Sequence, residues 1–307
     1  MAIAGRDSYD NVLSTKKNIQ DKLNYVVTVD CPMYDAGKAE KAKGSIEYFN
    51  EVVYTAISAE SARAEAATLS DDTPPAESQY THYTEINSEG WTVSTTMQST
   101  AKNGGMVGTT DEVARLKMEA LEYLKQKCEW SIVNGTTNAG ANTPTARRMT
   151  GLVTWADEGY TAATASSTLG DASAGETNWK AFLIALKAAG GLRTRKKVAL
   201  MSWTNKQTVS AWTGITDTVN ADASGKKIYS YVDLYDSMMG TIMLKGHDFM
   251  PETSIALFDP EMLRLKFLTK TEKRKLGTTK LGDSYHYFNE FGVQYDKPTT
   301  LGKVNLT

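Results

Sequence analysis

The chain has 307 residues, of which 41% are hydrophobic and 23% charged, so it holds one large or two modest domains around a buried core and is not disordered by default. Its 34 basic and 36 acidic residues leave a formal net charge of −2, which gives no whole-molecule field to draw in nucleic acid or an anionic membrane; any such contact has to come from a local patch. Cys31 and Cys128 are too few and too scattered for a disulfide scaffold or a zinc knuckle, residues 1–10 lack the pattern of a secretory signal, and no apolar run approaches the about 18 residues a membrane span needs.

Residues 1–43 are polar, with Tyr9, Val12, Leu13, Ile19 and Leu23 scattered among Lys16, Lys17, Gln20, Asp21 and Lys22. Such a segment buries too little to fold alone and reads as an arm draped over something else, ending near Cys31-Pro32, where the proline is expected to break any helix. Residues 45–57, with Ile46, Tyr48, Val52, Val53, Tyr54 and Ile57, suit a strand, and residues 80–97 alternate with period two through Tyr80, Tyr83, Trp91 and Val93. Between them, 59–79 carries Asp71-Asp72-Thr73-Pro74-Pro75 and an Ala/Glu/Ser bias. The whole predicts a projecting two-stranded ribbon with a mobile tip, which needs a docking surface because an isolated hairpin is barely stable in water.

After Gly104, Gly105 and Gly108, Thr109 and Glu112 form a capping box for a helix over 110–133. Val113, Leu116, Ala120, Leu121, Leu124, Cys128 and Ile132 supply its apolar stripe and Asn134-Gly135 its stop. Residues 139–148 read as a loop, and the small-residue stretch 161–175 as a connection between domains. A second helix is predicted over 178–189 with Trp179, Phe182, Leu183 and Leu186 on one side, then a buried strand over 198–203 and a short helix over 205–212. Further strands follow at 241–244, 254–258, 263–268 and 284–295. Helix, loop, strand, helix is the order of an α/β or α+β layer.

In sequence, polar arm, long ribbon, long spine helix, mixed α/β region and returning strands resemble the Johnson, or Hong Kong 97 type, fold of tailed-phage and herpesvirus major capsid proteins. The stretches that carry the resemblance to the phage family are Ile46-Glu47-Tyr48 with Asn50-Glu51, Arg147-Arg148-Met149 with Gly151-Leu152, Asn205-Lys206-Gln207 through Ser210, Trp212 and Gly214, Leu257-Phe258-Asp259-Pro260, and 283–304 with Asn289-Glu290 and Gly292. What the resemblance implies is an α+β capsid fold with an N-terminal arm at 1–43, an extended loop at 44–103 and a peripheral domain at 104–174 that includes the spine helix. An axial domain at 175–259 and returning strands of the peripheral domain at 260–307 complete it. It also implies a shell protein that packs in pentamers and hexamers inside a virion assembled in the bacterial cytoplasm. Portal, scaffolding or decoration proteins are implied partners. A start at Met1 leads to the expectation that no N-terminal scaffolding segment is removed.

No catalytic, cofactor or metal site is expected. The Gly104 to Thr109 run lacks the Gly-Lys-Ser/Thr of a P-loop and reads as a hinge. His82, His247 and His286 have no i,i+4 or cysteine partner and are expected on surfaces or strand faces. Candidate inter-subunit contacts are charged: Lys16 and Lys17 in the arm; Glu60, Arg63, Glu65, Asp71 and Asp72 in the ribbon tip. Two basic clusters join them, Arg193, Arg195, Lys196 and Lys197, and Lys270, Lys273, Arg274 and Lys275, the second read as a solvated loop or a patch that meets acidic groups of a neighbour or packaged DNA. The alternatives are a nanocompartment shell of the same fold, or a small-molecule-binding or hydrolytic α/β protein using Gly190 to Trp203.

Overall fold

The structure is a computed structural model, and it describes residues 29–54, 65, 75–94, 112–140, 145–164, 169, 174–191, 197–212, 233–237, 240–276 and 282–306. The expected arm up to residue 28, the ribbon tip apart from Glu65, the Gly104 to Thr109 hinge and its Thr109 cap lie outside these residues. The chain divides into two compact units: a larger one of Val29–Ser88, Leu124–Glu272 and Phe288–Thr307, and a second that contains Glu89–Tyr123 and Lys273–Tyr287.

The larger unit is built on a six-stranded mixed sheet. Its strands are β5 (Tyr160–Thr164), β6 (Lys197–Met201), β7 (Leu234–Ser237), β8 (Gly240–Gly246), β9 (Ser254–Phe258) and β12 (Gly302–Leu306), in the order β5-β12-β9-β6-β8-β7. Strands β6 and β9 are buried at every position, as the apolar runs Val198–Met201 and Ile255–Phe258 require, with Lys197 and Ser254 buried at their starts. Helix α4 (Ala174–Ala188) buries Trp179, Phe182, Leu183 and Leu186 at helical spacing, and these join Trp212, Val209, Ile242, Leu257 and Val304 in one core. The helix ends as a Gly190-Gly191 stop should: Gly190 has φ 100°, and the Gly191 amide donates back to the Leu186 carbonyl at 2.8 Å. Helix α5 (Trp203–Ser210) is capped by Ser202, whose side chain accepts from the Asn205 amide, so Trp203 opens a helix and does not end the strand.

Two boundaries expected from composition move. Tyr160–Thr164, expected as part of a small-residue connection, is an edge strand pairing in parallel with β12, and β12 itself lies antiparallel to β9. The sheet thus draws in strands from both sides of the expected 175–259 segment. Alanine is a weak strand former alone, but pairing with an adjacent strand overrides that preference.

The spine is helix α2 (Glu112–Asn134), 23 residues and about 35 Å long at 1.5 Å per residue. Leu124, Cys128 and Ile132 are buried one turn apart. Asn134-Gly135 ends it as expected, for a steric reason: a Cβ on Gly135 would lie 2.6 Å from the Ser131 carbonyl oxygen and 2.7 Å from that of Met149. Gly151 passes as tightly, with its amide donating to the Gly135 carbonyl at 2.8 Å. The stretch 139–148, expected as a loop, starts beside an isolated bridge between Asn138 and Arg148, and a short helix α3 (Leu152–Trp155) follows.

A second sheet has the order β1-β10-β11-β4, from β1 (Lys38–Lys41), β4 (Glu85–Ser94), β10 (Leu263–Leu276) and β11 (Gly282–Tyr295). Here the stretch from Lys270 to Lys275, read as a solvated loop or a contact patch, is strand. Pro32, expected to break a helix, begins one: it occupies the first turn of α1 (Pro32–Ala36), where a missing N–H costs nothing.

The ribbon is β2 (Ile46–Val53) paired antiparallel with β3 (Ala76–Tyr83), Ile46 opposite Tyr83 and Val53 opposite Ala76. The run 80–97, expected as one strand, is two. The chain leaves the ribbon at Thr84 and joins the second sheet as β4. Thr84 is held by its own amide on the Ser45 carbonyl at 3.0 Å, by its hydroxyl on Glu290 at 2.8 Å, and by Arg147, which donates to its carbonyl at 2.6 Å and ion-pairs with Glu290. These partners lie far away in sequence, so local alternation could not reveal the break.

Candidate inter-subunit surface

Alternation in β2 and β3 gives the ribbon two unlike faces. On one, Phe49 and Tyr80 sit across the ladder from each other with ring centroids 5.7 Å apart, and both meet Trp155, at 5.8 and 6.2 Å. Trp155 is held in turn by its indole N–H on the Val293 carbonyl at 3.0 Å. The buried carboxylate of Glu51, on the same face, accepts from the amide and hydroxyl of Thr299. At the ribbon root, Glu47 accepts from the Lys43 and Gly44 amides and bonds His82 Nε2 at 3.0 Å. Burial would raise the Glu47 carboxyl, but these donors outweigh it and hold it below the usual carboxylate range. His82 is fully buried, and burial pushes its imidazole below the ordinary histidine value against the pull of Glu47.

The ribbon base is therefore seated on its own chain. That corrects the expectation of a hairpin supported only by neighbouring molecules. The other face is uncovered: Ile46 is 41% exposed, Tyr48 65% and Val52 44%, with Tyr54, just past the strand end, 70%, and the polar Asn50 stands between Tyr48 and Val52 in the alternation.

The charged candidates divide three ways. Lys16, Lys17, Glu60, Arg63, Asp71, Asp72, Arg193, Arg195 and Lys196 lie outside the described residues. Glu65 is exposed. Lys197 is no surface contact: it opens the buried strand β6, and burial depresses its ammonium against the pull of Asp259. Lys270, Lys273, Arg274 and Lys275 are exposed along β10. Lys273 stands 4.2 Å from the Tyr285 ring centroid and 5.9 Å from that of Trp91, with Lys275 5.8 Å from Tyr285, over a stacked Trp91–Tyr285 pair. Lys273 and Lys275 are thus carried on an aromatic platform in the smaller unit, whereas Lys270 belongs to the larger one.

Sequence reasoning missed a polar cluster. Glu129 of the spine has no exposed surface and accepts from the Met33 amide at 2.8 Å, the Tyr34 amide at 2.7 Å and His247 Nε2 at 2.7 Å. His82 and His247, expected on surfaces or strand faces, are both buried, His82 on strand β3, and each has a carboxylate partner remote in sequence. Both cysteines are buried and neither is in a disulfide, and burial pushes the Cys128 thiol up to about 12, where it is inert. Among the described residues there is no cluster of metal-ligating side chains, and no helix is long and apolar enough to cross a membrane.

No curated protein sequence matches the chain. Three solved structures share its fold at low identity. The Cyanophage A-1(L) capsid asymmetric unit matches with a TM-score of 0.70 at 13% identity, covering 93% of this chain and 95% of that one. The capsid of the native GTA particle matches at 0.62 and 12%, covering 98% and 97%, and the capsid of Cyanophage P-SCSP1u at 0.59 and 10%, covering 99% and 95%. The family model described as SU10 major capsid protein matches residues 6–307. The chain therefore belongs to the SU10 major capsid protein family, and with it to the tailed-phage head-shell proteins of the Hong Kong 97 type fold.

Proposed function

We propose that this major capsid protein closes its shell mainly through the uncovered ribbon face, by laying Ile46, Tyr48, Val52 and Tyr54 on a neighbouring copy. One observation carries this reading: a two-stranded ribbon packed on its own chain by one face, while the other leaves Ile46, Tyr48 and Val52 uncovered beside the polar Asn50, Glu77 and Gln79. Covering each of these side chains is worth ~1–2 kcal/mol, small enough for wrongly placed subunits to leave and, summed over a shell, large enough to hold the particle. The aromatic seat at Trp155 fixes the angle at which the ribbon presents that face.

In this reading the copies meet as pentamers and hexamers. The six-stranded sheet with α4 and α5 serves as the axial domain, and the spine with the second sheet as the peripheral one. The Lys270 to Lys275 strand is a patch for acidic groups of a neighbour or for packaged DNA, and Glu65 belongs to the acidic side of the same contact. Assembly takes place in the bacterial cytoplasm, with portal and with scaffolding or decoration proteins as partners, and the chain works by packing and not by catalysis. The family match favours neither the nanocompartment nor the hydrolytic reading.

The test is a Tyr48→Asp, Tyr54→Asp double variant. The expected result is a folded, soluble subunit that forms no closed particles under the electron microscope. Wild-type yields of closed particles from it would end the proposal.

A further inference from the structure

The Glu129 cluster joins three segments distant in sequence. Its Oε1 takes the Met33 amide and His247 Nε2, and its Oε2 takes the Tyr34 amide. His247 is itself fixed: its Nδ1 accepts from the Phe249 amide at 3.1 Å, so Nε2 is the nitrogen that carries the proton and donates to Glu129. The His247 amide donates to the Met201 carbonyl at 2.9 Å, and Asn134, one turn beyond Glu129 on the spine, donates to the Phe249 carbonyl at 2.6 Å. Around the other arm of the cluster, Asp35 pairs with Lys125 at 2.8 Å, and the Tyr34 ring packs edge-on against Phe267 and Phe291.

A carboxylate with no exposed surface is costly, and it persists only where several donors are aimed at it. Apolar residues of similar size would fill the space at lower cost but would not choose a direction. The carboxylate accepts donors at fixed angles, so it holds residues 32–36 in one orientation against the spine.

We infer that Glu129 is a positioning residue for assembly: with His247 it latches residues 32–36 to the spine helix, and so holds them in the one arrangement that the subunit brings to a second copy. The latch rests on the shell-building reading above. It is distinct from the ribbon face, which lies on other strands.

The test uses the full chain. Glu129→Gln keeps the size and shape, yet no orientation of its amide accepts from all three donors, because one of its two ends now carries hydrogens. Hydrogen exchange at the Met33 and Tyr34 amides of the unassembled subunit is expected to speed up by about tenfold or more, the loss of one hydrogen bond to a charged group. Exchange along the rest of the spine stays as in wild type, and the yield of closed particles falls by a similar factor. His247→Ala removes one donor and leaves both backbone amides in place, so it is expected to show a smaller change in both readouts, and it carries the test if the first variant does not fold. Acceleration spread evenly along the spine would make Glu129 merely structural and overturn the inference, as would normal particle yields from both variants. Wild-type chain that forms no particles would sink the shell mechanism and this inference together, whereas wild-type and variant particles in equal yield sink this one alone.

Discussion

The six-stranded sheet and the ribbon solve the same problem in opposite ways. Both present alternate or continuous apolar side chains from strands, but β6 and β9 are covered on each face by helices and neighbouring strands, whereas β2 and β3 have cover on one face only. A core that is complete within the chain makes the subunit fold alone. A face left uncovered by a ribbon that is otherwise firmly seated leaves something for the next subunit to bury. The difference separates folding from assembly, so substitutions in the two regions should fail in different ways.

The sharpest way to break that separation is within the core. Trp212 is fully buried against Trp179 and Tyr235, with its indole N–H on the Leu169 carbonyl at 2.9 Å. Trp212→Ala is expected to cost about 3–5 kcal/mol in urea denaturation and to leave little soluble subunit. Trp155→Ala should cost less, about 3 kcal/mol, because only one side of the ribbon rests on it. Protease cleavage confined to β2 and β3 would locate the loss, and cleavage spread across the six-stranded sheet would show that ribbon and core are not separable.

A smaller effect follows from pH at the ribbon root. His82 has its imidazole depressed in the folded chain, so the unfolded chain binds more protons in this window. The stability it contributes is whole above the ordinary histidine value near 6.5 and is lost as pH falls through the lower folded value. Glu47, also depressed, extends the loss further into acid. His82→Gln is expected to flatten the upper part of this pH dependence of the midpoint of denaturation. An unchanged profile would show that the Glu47–His82 pair does not bear on ribbon stability. The smallest effect belongs to the outer face: Tyr48→Asp with Tyr54→Asp should move subunit stability by no more than about 0.5 kcal/mol per site, since neither ring is covered in the lone chain. A large loss there would mean that the face is not free.

Some of this was legible from residue order. The spine helix was legible because Leu124, Cys128 and Ile132 repeat at one-turn spacing and Asn134-Gly135 closes it, and β9 because Ile255 to Phe258 is an unbroken apolar run between turns. The first ribbon strand was legible in Ile46, Tyr48, Val52 and Val53. These signals are local: propensity and periodicity act over a few residues and survive whatever surrounds them.

Other features depended on groups brought together from far apart in the chain. Nothing near Thr84 marks the exit from the ribbon, which Arg147 and Glu290 enforce; nothing near Lys197 marks a buried lysine, which its place in the middle of a sheet decides. Glu129 and His247 look like surface residues until the fold sets them 2.7 Å apart. Composition and spacing therefore determined the long helices and the most apolar strands, and the family resemblance pointed to the kind of shell. Which polar groups are buried, and which ribbon face is left for another molecule, only tertiary packing decided, because burial and hydrogen bonding are properties of pairs and a linear sequence does not say which pairs will meet.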